Sequence, residues 1–384
     1  MMNEARKEIR PFMERPFEYL KPSSKDILYY WYQTREYVLN YLITNIKPFK
    51  DADSFPDSWN FVVNGDSDLM LSVVRHLALY AHFLNYEEYD KFGNLLCKNR
   101  TIITIISKKT ANEIKKKLDN PDFLGNLPKY CKTTIFGEIE NEHSFIDIEI
   151  EVVRDNVQPV PHQLPVITED LVLKYVDSIP PADTIHINTL KAICTSKAYD
   201  LGDTVNNLPY EDINSIRRYF NALNIFRRKI LKFKNSDTLV KKEEWGNDLY
   251  AVKSGISNVY CADCFEIREI EIKHKAKNDK SNELEAWQKY MKELSQCEHN
   301  RWVVEKLILG YEPLGKEEKF AYEHLFGDER SAYWKSLKKD SQSPRHIDIC
   351  STKDLRRIDP DNMKYDSFLM LAIPFILEYV RSKR

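Results

Sequence analysis

The spacing of apolar and polar positions divides the chain into stretches of two different periods. In "SKDILYYWYQTREYVLNYLITNI" (24–46) apolar residues recur three and four apart, the period of a helix. Residues 1–55 therefore read as an N-terminal helical extension packed on a domain or on a second subunit. "KPFKDADSFPDSW" ends the pattern with two prolines and turn formers. In the next stretch a short apolar run (Phe61, Val62, Val63) meets a turn (Asn64, Gly65, Asp66, Ser67). A helical stripe of Leu69, Val73, Leu77 and Tyr80 follows. "RTIITIIS" predicts a second strand, "KKTANEIKKKLDN" a second helix, and "TTIFGEI" and "SFIDIEIEVV" further strands. Strands alternating with helices predict an α/β Rossmann-like domain over 56–158, a parallel sheet with flanking helices.

Three prolines in "PVPHQLPVI" mark a boundary at 159. Residues 159–280 read as a second α/β or helical domain. It has a strand at "DTIHINT", helices at "TLKAICTSKAYDLGDTV" and "EDINSIRRYFNALNIFRRKILKF", and a solvated linker at "KHKAKNDKSNE" (273–283). A long helix from about Glu283 to Leu309 opens the last domain, 281–384.

Composition narrows the function classes. A net charge of −2 provides no global field for nucleic acid or an anionic membrane, so nucleic acid is not an expected partner. No run of 18 apolar residues marks a membrane span, and the N-terminal stretch lacks the apolar core of a signal peptide. Seven scattered cysteines fit a reducing compartment, so a cytoplasmic location is expected. The lone CxxC, Cys261 to Cys264, reads as two ordinary cysteines rather than half a zinc or redox site. "NIFRRKILKFK" (224–234) reads as an amphipathic helix with a solvated basic face. If it binds anything, a phosphate-bearing ligand suits it.

The strand–turn–helix around Gly65 stands where dinucleotide-binding folds seat a pyrophosphate on a helix N-terminus. Close approach of backbone amides to phosphate needs glycine, and only Gly65 is present. The other positions of G-x-G-x-x-G fall on Ser67 and Met70, or on Val63 and Asp68. Asp66 and Asp68 would also repel phosphate. The domain thus reads as a degenerate Rossmann-like scaffold, with Gly65, Asp66 and Ser67 as cofactor-binding candidates and no cofactor identified. No nucleotide-hydrolase, hydrolase-elbow or zinc-protease motif occurs, and no catalytic or metal-ligating residues are assigned.

Near the C-terminus, "CEHNRWVVEKLILGY" puts His299, Trp302, Lys306 and Leu309 on one helical stripe and Glu298, Arg301 and Glu305 on the next. Trp302 and Leu309 are expected in a core, with His299 and Lys306 at its margin and Gly310 as a C-cap. "EHNRWVVEKLILGY", followed after a loop by "HIDICSTKDLRRIDPDNMKYDSFLMLAIPFIL", resembles the ryanodine-receptor (RyR) repeat domain. The matched positions are Glu298, His299, Arg301, Trp302, Glu305, Lys306, Gly310, Tyr311, His346, Asp348, Leu355, Tyr365 and Asp366. Arg345-His346-Ile347 lacks the family's proline after the histidine, and the intervening loop is longer than usual. In bacteria such domains often stand behind a Rossmann-like domain of the TrkA-N/RCK type. The resemblance implies a small, mainly helical C-terminal domain and a soluble ligand-sensing or adaptor protein. His299, Arg301, Trp302, Lys306, Tyr311, His346 and Tyr365 are its candidate ligand-binding residues. A nucleotide-type ligand is this reading's own addition, from the Rossmann-like order and the basic groups. The alternatives are a protein-interaction scaffold that oligomerises or binds a partner through the N-terminal helices, and a nucleotide-processing enzyme using His299 or His346.

Overall fold

The computed structural model describes residues 25–52, 54–142, 144–154, 164–176, 257, 260–339 and 344–358, and the positions 366, 367, 370, 373, 374, 377, 378 and 381. The expected strand at "DTIHINT", both helices after it, the basic stretch 224–234 and Tyr365 lie outside them.

Strands β1 (Asn60–Asn64), β2 (Glu87–Tyr89), β3 (Leu95–Lys98), β4 (Thr101–Ile106), β5 (Lys132–Ile135), β6 (Glu138–Glu140), β7 (Ile148–Val153) and β8 (Ile167–Thr168) follow in chain order. Six form one sheet, β6-β5-β7-β4-β1-β8, and every neighbouring pair is parallel except the β5–β6 hairpin. β-Branched residues fill its buried positions, such as Val62, Val63, Ile103, Ile105, Ile150 and Val152. β7 alternates strictly. Ile148, Ile150 and Val152 are buried, while Glu149 pairs with Lys132 at 2.8 Å across the strand on the other face. One strand was expected at "TTIFGEI". The chain instead reverses at Phe136 and Gly137, both at positive φ, and makes the edge hairpin. Counted along the chain, β1, β4, β7 and β8 lie in the order 3-2-1-4, so connections run in opposite directions from β1. In open α/β sheets ligands bind at such a reversal, here outside the carboxyl ends of β1 and β8.

Helices α1 (Lys25–Ile46), α2 (Asp68–Tyr80), α3 (Ala111–Leu118), α4 (Leu127–Tyr130) and α5 (Glu169–Val176) accompany the sheet. α2 is buried from Leu69 through Tyr80, Arg75 and His76 included. A helix buried all round must be covered on every side. α1 and the later helix α8 pack against it. From Thr34 to Leu39 every side chain of α1 is buried, so the described part of the N-terminal helix packs onto its own chain. Burial, then the neighbouring Arg75 charge, push His76 down to about 3 and keep it neutral inside.

The expected linker at 273–283 is corrected by the structure. Lys273 to Asp279 belong to α6 (Phe265–Asp279), whose Phe265, Ile267, Ile272 and Ala276 are buried. Its charges find partners: Arg268 with Glu271 at 2.5 Å, Glu269 with Lys273 and Arg381, and Lys277 with the Asp51 carbonyl. A charged composition reads as solvated, but tertiary pairing absorbs it. The expected long helix is two, α7 (Glu283–Lys289) and α8 (Met291–Ile308), divided at Tyr290. Beyond them lie β9 (Glu312–Pro313), α9 (Lys316–His324), α10 (Gly327–Lys339), β10 (Arg345–His346) and α11 (Thr352–Ile358), with β9 and β10 paired in parallel. One apolar core includes Leu42, Phe61, Ile150, Ile267 and Val304, so the sheet and α8 share it.

The β2–β3 hairpin joins the sheet layer to α11. Glu88 is 2% exposed and accepts from the Thr352 backbone N–H at 3.1 Å and from its hydroxyl. Burial dominates and, with the Asp147 charge beside it, outweighs the Thr352 hydrogen bonds and the Arg356 charge, pushing the Glu88 carboxyl up from 4.5 to about 7. The folded chain therefore holds this proton more tightly than the unfolded chain. The resulting stabilisation is complete below 4.5 and is lost as pH rises through 7. It amounts to about 3 kcal/mol. Glu88→Gln is expected to flatten the fall in urea midpoint between pH 5 and about 8. An unchanged slope would show that Glu88 is not its source.

Candidate functional site

Three loops meet at the β1–β8 reversal. Gly65 leaves β1 at φ +127°, a conformation that suits glycine, and its N–H continues the ladder to the Ile106 carbonyl at 3.1 Å. Ser67 caps α2 by accepting from Met70 N–H, and its hydroxyl donates to Glu169 at 2.8 Å across the β8 side. On the β4 side the Asp66 carboxylate takes the Ser107 hydroxyl and the Lys109 ammonium. Lys117, from α3, reaches the Asp66 carbonyl at 2.8 Å and the Asp68 carboxylate at 3.4 Å. Burial alone would raise the Asp66 carboxyl. Lys109 and Ser107 outweigh it and hold it below the usual carboxylate range. Gly65, Asp66 and Ser67 thus form the turn between β1 and α2. Ser107, Lys109, Lys117 and Glu169 were missed. The available signal was positional, since "SKK" directly follows the strand next to β1.

The C-terminal candidates divide into two groups. Glu298, Arg301 and Glu305 form an enclosed cluster, each 3% exposed or less. The Arg301 guanidinium donates to both Glu298 oxygens at 2.7–3.0 Å and to Glu305 at 2.7 Å, so it pairs with both acids at once. Burial opposes its charge, but the two carboxylates raise its pKa well above the ordinary value. His299 Nε2 meets the Cys350 carbonyl at 2.8 Å, and burial lowers its pKa. Arg301 and His299 are therefore inside the packing with partners of their own.

The second group is aromatic. The His346 ring lies edge-on between Trp302 and Trp334, each centroid 4.7 Å away, with Tyr311 at 6.1 Å. Lys306 lies over Trp302 at 5.2 Å and pairs with Glu305 at 2.9 Å, so it touches both groups. The expected margin is corrected here: His299 is buried, while Trp302 and Leu309 are half-buried. α8 buries Cys297, Val304 and Leu307 in the protein, and its Trp302 stripe turns to β10. Gly310 does terminate α8, at φ +84°. Its N–H bonds Leu307 and that of Tyr311 bonds Lys306. Trp334 was missed because it stands on α10, in the segment expected as a loop, which the structure instead folds into α9 and α10.

Cys261 and Cys264 are buried, and desolvation raises both thiols, Cys264 to about 12. A thiol held protonated is a poor nucleophile or metal ligand. Among the described residues no helix is long and apolar enough to cross a membrane. No protein-family model matches the chain, and no curated protein or solved structure matches it either.

Proposed function

We propose that this chain is a ligand-sensing or adaptor protein: a Rossmann-like sheet with an RyR-type helical region, responding to a nucleotide-type ligand at the β1–β8 crevice. The observation that carries this reading is the joint between crevice and helical region. α3 supplies Lys117 to the crevice, and the loop after α3 closes on the end of α8. There Asn126 N–H donates to the Leu307 carbonyl at 2.8 Å, and its side-chain amide to Gly310 at 2.9 Å and Tyr311 at 3.2 Å. Tyr311 in turn borders His346. A shift of Lys117 on ligand binding is thereby passed, through packed and hydrogen-bonded groups, to the Trp302–His346–Trp334 cluster. In this reading Trp302, Lys306, Tyr311 and His346 form the responding surface, and His299 and Arg301 its frame.

A thermal-shift screen with NAD, ATP and cyclic oligonucleotides tests it. A true ligand at a hundredfold excess over its Kd is expected to add about 3 kcal/mol. Lys117→Gln should diminish that gain, and the absence of any shift would sink the ligand reading. The scaffold reading draws on exposed aromatic side chains on the helical region, Phe320 (64%) and Phe326 (73%). It expects a solution mass above the monomer and no nucleotide response.

A further inference from the structure

We infer that Ser107, Lys109 and Lys117 form an anion site for a phosphate group, and that the Asp66 carboxylate is its resident occupant, a built-in competitor for the ligand. The inference deepens and rests on the reading of a ligand-responsive crevice, and adds to Lys117 two donors which that reading did not assign, Ser107 and Lys109.

The site is constructed from the backbone outward. Ser107 N–H bonds the Val153 carbonyl at 3.0 Å, which fixes the residue at the end of β4 between β1 and β7. Its hydroxyl is 2% exposed as a residue and accepts from the Lys109 backbone N–H at 3.1 Å. With a donor already on that oxygen, the hydroxyl proton is directed at Asp66. Lys109 adds its ammonium to the same carboxylate. Lys117 reaches the same residue from α3, its ammonium on the Asp66 backbone carbonyl at 2.8 Å and on the Asp68 carboxylate at 3.4 Å. Two ammonium groups this close repel unless negative charge lies beside them, and Asp66 and Asp68 supply it. A fixed hydroxyl donor and an ammonium on one carboxylate, with a second ammonium on the backbone carbonyl of the same residue, are donors a phosphate group can take together.

The occupant explains a contradiction in the sequence. An aspartate in the first turn after β1 repels phosphate if it faces the ligand, yet the lysines beside it attract phosphate. Asp66 resolves this by occupying Lys109 with its carboxylate and Lys117 with its backbone carbonyl. A ligand must then displace an internal carboxylate, and its apparent affinity is lowered by the fraction of time the site stands open. The arrangement also sets the trigger: when phosphate takes Lys109 and Lys117, Asp66 is released and the Gly65 turn becomes free to move.

The test measures binding of inorganic pyrophosphate to the full chain by calorimetry, at fixed ionic strength, for wild type, Asp66→Asn and Asp66→Ser. Both variants are expected to bind about tenfold tighter, the gain that follows if the site is open one time in ten. Lys109→Gln in the Asp66→Asn background should remove the gain. If neither Asp66 variant, checked as folded by its unliganded melting curve, binds tighter than wild type, the inference is overturned. An equal effect from potassium chloride overturns it as well, since screening alone would then account for it. Two outcomes separate this inference from the broader reading. Tighter pyrophosphate binding by the variants with no wild-type nucleotide response supports the site and removes the nucleotide reading. A wild-type nucleotide response that both Asp66 variants lose makes Asp66 a ligand contact, which overturns the competitor and leaves the sensor.

Discussion

Arg301→Met is expected to lower the unfolding free energy by about 3–5 kcal/mol, the usual cost of removing one partner from an enclosed ion cluster. Burial raises the Glu305 carboxyl, but Lys306 and Arg301 outweigh it and hold it low. Without Arg301, Glu305 keeps Lys306 and the Ser257 hydroxyl, whereas Glu298 loses the cation that binds both its oxygens. Asp366 already has its carboxyl pushed well up by burial and then by Glu298, so no relief comes from that side. Replacing Arg301, Glu298 and Glu305 together by apolar residues of similar volume is expected to cost much less than the single change. Urea unfolding of the single and triple variants measures both. A loss below about 1 kcal/mol for Arg301→Met would mean that solvent reaches the cluster. Arg301 is accordingly a poor probe for ligand binding, because its loss loosens the helix that frames the responding surface.

Gly125→Ala is expected to be nearly as damaging, though it adds only a methyl group. Gly125 sits at φ +56°, where a side chain costs about 1–3 kcal/mol by itself. An added Cβ would also stand against the Ile308 carbonyl and 2.6 Å from the Leu307 carbonyl, both of them backbone. Backbone does not swing aside as a flexible side chain does, so the loop must lift from α8 and surrender the Asn126 hydrogen bonds. The expected total is about 3–4 kcal/mol. Under the proposed function, coupling should fail with it: any nucleotide stabilisation should persist while the Trp302 and Trp334 fluorescence response disappears. A stability within about 0.5 kcal/mol of wild type would refute the close approach.

The legible part of the fold was its periodicity. β1, α2, β4, α3 and β7 all arise where residue spacing predicts them, because each buries apolar residues at the spacing of its own period. The β2–β3 hairpin was not legible. "EEYDKFGNLLCK" looks like exposed turn chemistry, and Leu95 and Leu96 are indeed exposed. Its position is fixed by Glu88, whose partner Thr352 is remote in sequence. α6 was hidden for a related reason. Its charges look solvated until Arg268, Glu269 and Glu271 are seen against their partners.

The candidate site divides in the same way. The turn at Gly65, Asp66 and Ser67 was readable, because a glycine between an apolar run and a helical stripe has few other uses. That Asp66 would lie on Ser107 and Lys109 rather than face a ligand could not be read, since parallel pairing of β1 with β4 brings them together. On α8, spacing revealed the Glu298–Arg301–Glu305 stripe but not which stripe faces inward. A helix in isolation presents every face equally.

By itself the sequence determined the local elements, the parallel alternation and the side chains able to pair along one helix, because those depend on periods and spacings within a few residues. The tertiary structure alone decided which charges are enclosed, which aromatic rings surround His346, and that the Asp66 carboxylate lies on Ser107 and Lys109. Each of those is a contact between segments far apart in the chain, and its energy depends on how much solvent the surrounding fold removes.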